Sequence, residues 1–133
     1  MTAFTTATET AVLNLLFRET PMTPPAGHYL ALFTALPTDG GGYAGEVNAP
    51  SYHRIGVIFT APAGTPAKIQ LTNDVEFDVA QEPWGNIKAV AVMDAEPSGT
   101  GAMLAWAPLD TARDVNANDM FLFAAADLTI SLD

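Results

Sequence analysis

Glycine, proline, asparagine and aspartate interrupt this chain at short intervals from Pro21 to its end. The turn-rich stretches Leu36–Gly45, Ala61–Pro66, Glu82–Gly85, Glu96–Gly101 and Asn116–Asp119 leave only short apolar runs between them. Those runs read as strands at His28–Thr34, Arg54–Thr60, Ala67–Thr72, Val75–Val79, Ile87–Asp94, Ala102–Ala107, Met120–Ala125 and Leu128–Leu132. A parallel sheet needs crossover helices, and none is legible among them. The pattern therefore predicts a mainly β fold: a single-domain antiparallel β-sandwich or a partly open β-barrel, spanning residues 1–133.

One helix precedes the strands. Val12, Leu13, Leu16 and Phe17 recur at helical spacing, and Glu9 suits the positive end of a helix dipole. Thr8 reads as its cap, and Pro21, Pro24 and Pro25 end it, which predicts a short N-terminal α-helix over about 8–19. Among the strands, His28–Thr34 is apolar on both faces and reads as covered on both sides, with the helix as a candidate cover. In the run from Val75 to Val79 the apolar side chains Val75, Phe77 and Val79 should point inward. Glu76 and Asp78 then point outward, where they discourage pairing with like copies. Leu128, Ile130 and Leu132 alternate with Thr129 and Ser131 as in a half-buried strand.

A chain of 133 residues has the size of one domain, and folding should bury about two thirds of its extended surface. Half of it is hydrophobic and only 15% is charged, so disorder is excluded while groups for chemistry are few. Five basic residues stand against fifteen acidic ones, a net charge of −10. That balance argues against nucleic acid and against an anionic membrane as partners. No apolar stretch approaches the length of a membrane span, and no cationic segment opens the chain as in a secretory signal. Cysteine is absent, which removes disulfides, thiolate nucleophiles and cysteine metal sites.

Chemical motifs are sparse. Gly40, Gly42 and Gly45 fit the glycine spacing of a dinucleotide loop, but Pro50 and the missing helical pattern after them argue against a helix that would meet phosphates. His28 and His53 lie far apart and read as structural rather than as metal ligands. Ser51 and His53 would share a strand face, yet no serine lies in a nucleophile-elbow motif. Asp74, Glu76 and Asp78 alternate on one face, more simply a solvated face than a calcium site. Trp106 reads as core, and Trp84, in EPWGN, fits a core or an interface role. Arg54 is the one cation of its region and is expected to be paired, orienting the loop Leu36–Pro50. No catalytic residue, metal or cofactor is expected, and no enzymatic activity.

The order of five segments resembles a family of small tailed-bacteriophage virion proteins. After the helix come HYLALFTALPTD, then GGGYAGEV leading into SYHRIGVIF, then LTNDVEFDVAQEPWGNIKAVAVMDA, then GTGAMLAWAPL, and finally DLTISLD. The likeness covers about residues 9–133 and departs from the pattern between Glu46 and Tyr52 and in the loop Asp94–Gly101. Such proteins are commonly described as tail fibre proteins, and some resemble head decoration, or cement, proteins. The resemblance implies a virion protein on the outer surface of the capsid that binds the major capsid protein, as a homotrimer, and staples neighbouring subunits. A tail fibre or tail-tip adaptor is the alternative, and a small glycan-acting β enzyme a third. A partner interface is expected at the helix and around the glycine loop, with Gly40, Gly41, Gly42, Tyr43, Glu46, Tyr52, Arg54 and Trp84 as its candidate residues.

Overall fold

The computed structural model describes residues 3–132. In chain order the elements are β1 (Ala3–Phe4), α1 (Thr6–Phe17), β2 (Tyr29–Phe33), β3 (Ile55–Gly56), β4 (Lys68–Gln70), β5 (Val75–Glu76), β6 (Gly85–Met93), β7 (Met103–Val115), β8 (Leu122–Phe123), a 3₁₀ turn (Ala125–Asp127) and β9 (Thr129–Ser131). An open five-stranded sheet has the order β1-β7-β6-β2-β3, and β4-β9 and β5-β8 form two-stranded ribbons. Every pairing is antiparallel, as expected where no crossover helix exists.

The larger core lies between one face of the sheet and the ribbons. Leu30, Leu32, Ile87, Val90 and Val92 of β2 and β6 meet Leu71, Val75, Phe77, Phe121, Phe123 and Leu128. Each such side chain contributes about 1.5–3 kcal/mol by leaving water. The opposite face packs Ala31, Phe33, Ala89, Ala91, Met93 and Met103 together, with Trp106 against them. The reading of β2 as buried on both faces therefore holds, but the helix is not its cover, since no residue of α1 is buried. Trp106 is half-buried rather than fully inside, whereas Trp84 belongs to the core.

Two irregularities interrupt the β6–β7 hairpin. From Ile87↔Arg113 to Ala89↔Pro108, β7 advances five residues while β6 advances two. Pro108 has no N–H for a ladder bond, so the mismatch falls where the ladder is already weakened. The run expected to stop at Ala107 instead continues, past this bulge, to Val115. A second shift, between Val92↔Ala105 and Met93↔Met103, leaves Leu104 as the extra residue.

Other boundaries also move. The helix runs Thr6–Phe17 rather than 8–19, and Thr5 rather than Thr8 is its cap. Its end is fixed by Arg18 and Thr20, whose N–H groups donate to the Asn14 carbonyl, with Glu19 at φ 54°. β5 ends at Glu76, yet the expected alternation holds through Asp78, with Val75 and Phe77 buried and Glu76 and Asp78 exposed; it fails only at Val79, which is exposed. The two-residue strand β1 has no alternation to betray it.

Candidate functional site

The helix is tied to the rest of the fold through hydrogen bonds at its N-terminal end. Thr5 Oγ1 donates to the Met103 carbonyl at 2.9 Å and accepts from Thr8 N at 3.4 Å, while Thr8 Oγ1 donates to the Leu104 carbonyl at 2.8 Å. Thr5 N also donates to Leu104 O, and Thr6 N to Asp39 O. The extra residue in β7 thus supplies a carbonyl to which the first turn is tied. Beyond that turn α1 extends with Leu13, Leu15, Leu16 and Phe17 exposed, Leu16 by 65% and Phe17 by 76%. Its apolar residues lie around the axis rather than in one stripe, a distribution that marks a helix meant to be enclosed. Exposed in this number, these side chains form an apolar surface patch.

Beside the first turn lies an apolar groove of about 450 Å³. Phe4, Met22, Pro25, Phe59, Ile130 and Leu132 line it. Met22 and Leu132 are themselves exposed, and Thr8 of α1 also lines the groove.

The second feature is a buried ion pair between loops. Arg54 Nε donates to Glu46 Oε1 and Arg54 Nη2 to Glu46 Oε2, each at 2.7 Å. The two side chains are only 0% and 4% exposed. The remaining guanidinium donor, Nη1, reaches the carbonyls of Ala95 at 2.7 Å and Thr100 at 2.9 Å. Gly99 N donates to Glu46 Oε2, and Tyr52 OH donates to Glu46 Oε1 at 3.0 Å while accepting from Leu32 N at 2.9 Å. Burial pushes the Tyr52 phenol far above its ordinary pKa, and the Glu46 charge adds to the rise. One clasp therefore joins the glycine loop, β2 and the segment 94–101. Gly101, at φ 75°, closes that segment; a Cβ there would sit 2.5 Å from Asp94 Oδ1, which accepts from Ala102 N. Gly45, at φ 89°, does the same for the glycine loop, where a Cβ would press on Ala35 Cβ at 3.0 Å.

The residues singled out from sequence divide accordingly. Gly40, Gly42 and Tyr43 are exposed and Gly41 is half-buried, so these four present surface. Tyr52, Arg54 and Trp84 are buried and the Glu46 side chain is nearly so; these four can shape an interface only by positioning the loops above them. Arg54 is paired and orients the loop Leu36–Pro50, as expected, through Glu46. The glycine motif is not followed by a helix: Glu46 bridges to Phe33, and Val47 N donates to Leu32 O.

Ser51 and His53 do not act together. Ser51 Oγ donates to Glu82 Oε1 at 2.8 Å and accepts from Gln81 N and Trp84 Nε1, each at 3.0 Å. His53 faces Asp78 at 3.3 Å, both well exposed. Asp74 accepts from Ala125 N and Asp78 faces His53, so two of the three alternating acids have separate partners. Among the described residues no group of three histidine, aspartate or glutamate side chains is placed to hold a metal ion, and no helix is long and apolar enough to cross a membrane.

Sequence reasoning missed Thr5, the bulge at Leu104 and the segment 95–100 as parts of the site. The only available signal for Thr5 was its hydroxyl immediately ahead of a helical run.

A family model described as Podophage GP4 fiber I protein gp80 matches residues 3–131. No curated protein matches the chain.

Proposed function

The chain belongs to that podophage fibre I protein family, a structural protein of the bacteriophage virion, and we propose that it is a fibre-family assembly module. It works by binding other virion proteins, with no catalytic step. The observation that carries this is α1: a helix apolar around its axis, hydrogen-bonded to the fold at its N-terminal end, with Leu13, Leu16 and Phe17 in solvent. Packing that helix against a partner would take exposed apolar side chains out of water. The clasped loops suit the same role, because a preorganised loop loses less entropy on binding. That Ser51 is committed to three hydrogen bonds supports binding rather than nucleophilic chemistry.

Capsid decoration is the second reading, in which the partner is the major capsid protein and the assembly a homotrimer on the outer shell. What favours it is shape: the described residues form a short sandwich with no repeat and no stalk. The family name favours the fibre reading.

Quantifying the chain in separated heads and tails of purified virions decides between them. A few copies travelling with tails support the fibre module; copy numbers comparable to the major capsid protein, found with heads, establish decoration instead. Leu16→Ser/Phe17→Ser should leave the fold intact and lower incorporation into particles. Unchanged incorporation refutes the role given to the helix.

A further inference from the structure

A second groove, of about 850 Å³, opens on the other side of Phe4 from the apolar one. Val90, Ala107, Leu109, Phe123 and Leu128 give it an apolar floor. Four carboxylates from four separate segments also line it: Glu9 of α1, Asp39 of the glycine loop, Asp110 of β7 and Asp127 of the 3₁₀ turn. The β7 bulge is what brings Asp110 here, since the extra residues lie between Pro108 and Arg113.

None of the four has a cationic partner among the described residues. The one cation in the lining, Arg113, is already engaged. Its guanidinium lies 4.9 Å over the Phe121 ring, and its Nη1 donates to the Leu122 carbonyl at 3.1 Å. Asp127 uses one oxygen to accept from Ala124 N and keeps the other. The groove thus joins an apolar floor to uncompensated negative charge, within the volume range of a ligand pocket. An anionic occupant is repelled, and a purely apolar one would leave the carboxylates to be desolvated without partners.

We propose that this groove seats a basic segment of a partner protein, with arginine or lysine side chains at the rim and apolar side chains on the floor. The inference rests on the assembly reading above but adds the chemistry of the partner, and it does not depend on placement at head or tail.

The test uses the whole chain and a fluorescein-labelled hexapeptide of alternating leucine and arginine, read by anisotropy, with a leucine–glutamate hexapeptide as comparison. Asp39→Asn/Asp110→Asn removes two groove charges; Glu76→Gln/Glu96→Gln removes two exposed charges elsewhere. Binding of the arginine peptide should fall about tenfold in the groove variant, from two partly exposed ion pairs, and less than about twofold in the distal one. Equal loss in both variants would mean generic attraction to an acidic protein and overturns the proposal. So does arginine-peptide affinity no better than that of the glutamate peptide. Spermidine that binds with the groove dependence while the peptide does not would assign a small-cation site instead, which also overturns it. Should the double variant not fold, Asp110→Asn alone should still weaken binding severalfold, and no change in it is refuting. Because no particle is involved, failure here leaves the virion role standing.

Discussion

Replacing Arg54 by methionine tests the clasp directly. The change keeps an unbranched apolar stem and deletes the guanidinium. It strands the Glu46 carboxylate, 4% exposed, without a cation and leaves the carbonyls of Ala95 and Thr100 without their donor. Removing one partner of a buried ion pair costs about 3–5 kcal/mol, and the two orphaned carbonyls press the value toward the upper end. Arg54→Met should therefore destabilise by about 4 kcal/mol in urea at pH 7 with an unchanged m-value, a large part of a small domain's stability. Glu46→Leu/Arg54→Met should cost less than either single change, because no charge is then left buried. A loss under about 1 kcal/mol would refute the clasp as the element that joins the loops.

The same geometry sets four further outcomes. Tyr52 has a folded-state pKa above its unfolded one, so its contribution is complete below about pH 10 and is lost as pH rises toward the folded value. Absorbance at 295 nm should show that phenol ionising only with unfolding, and Tyr52→Phe should flatten the alkaline fall in stability. Trp106→Phe should shift stability by less than about 1 kcal/mol, since its buried Nε1–H has no partner to lose. Trp84→Phe, which breaks a 3.0 Å bond to Ser51, should cost about 1–2 kcal/mol in parallel urea titrations. Thr5→Ala removes the cap and the link to Met103, so it should cost about 1–2 kcal/mol and speed hydrogen exchange throughout α1; protected amides would show a second anchor for the helix.

Short-range rules made much of the architecture readable. Turn signals bounding short apolar runs placed β2, β4, β6 and β9 within a residue or two, because turn chemistry is a local property. The single helix was visible because its spacing is local too, although its cap lies three residues earlier than the spacing suggests. The expected strand Ala102–Ala107 stops just before Pro108, whereas a bulge absorbs the missing donor and β7 runs on to Val115. Helical spacing at Leu16 and Phe17 shows periodicity but not what lies opposite it, so it fits a cover for β2 as well as a partner surface.

By itself, then, the sequence determined an antiparallel β fold with one helix and few groups for chemistry. It also placed at Arg54 a cation that had to be paired, since burying an isolated charge is prohibitively costly. Tertiary structure alone decided which partners that charge acquired: Glu46 eight positions away, and carbonyls at Ala95 and Thr100 more than forty away. It alone left α1 uncovered and gathered Glu9, Asp39, Asp110 and Asp127 around one groove. Those outcomes depend on strand register and on two bulges, where hydrogen bonds between distant segments select one pairing from many that local preference permits equally.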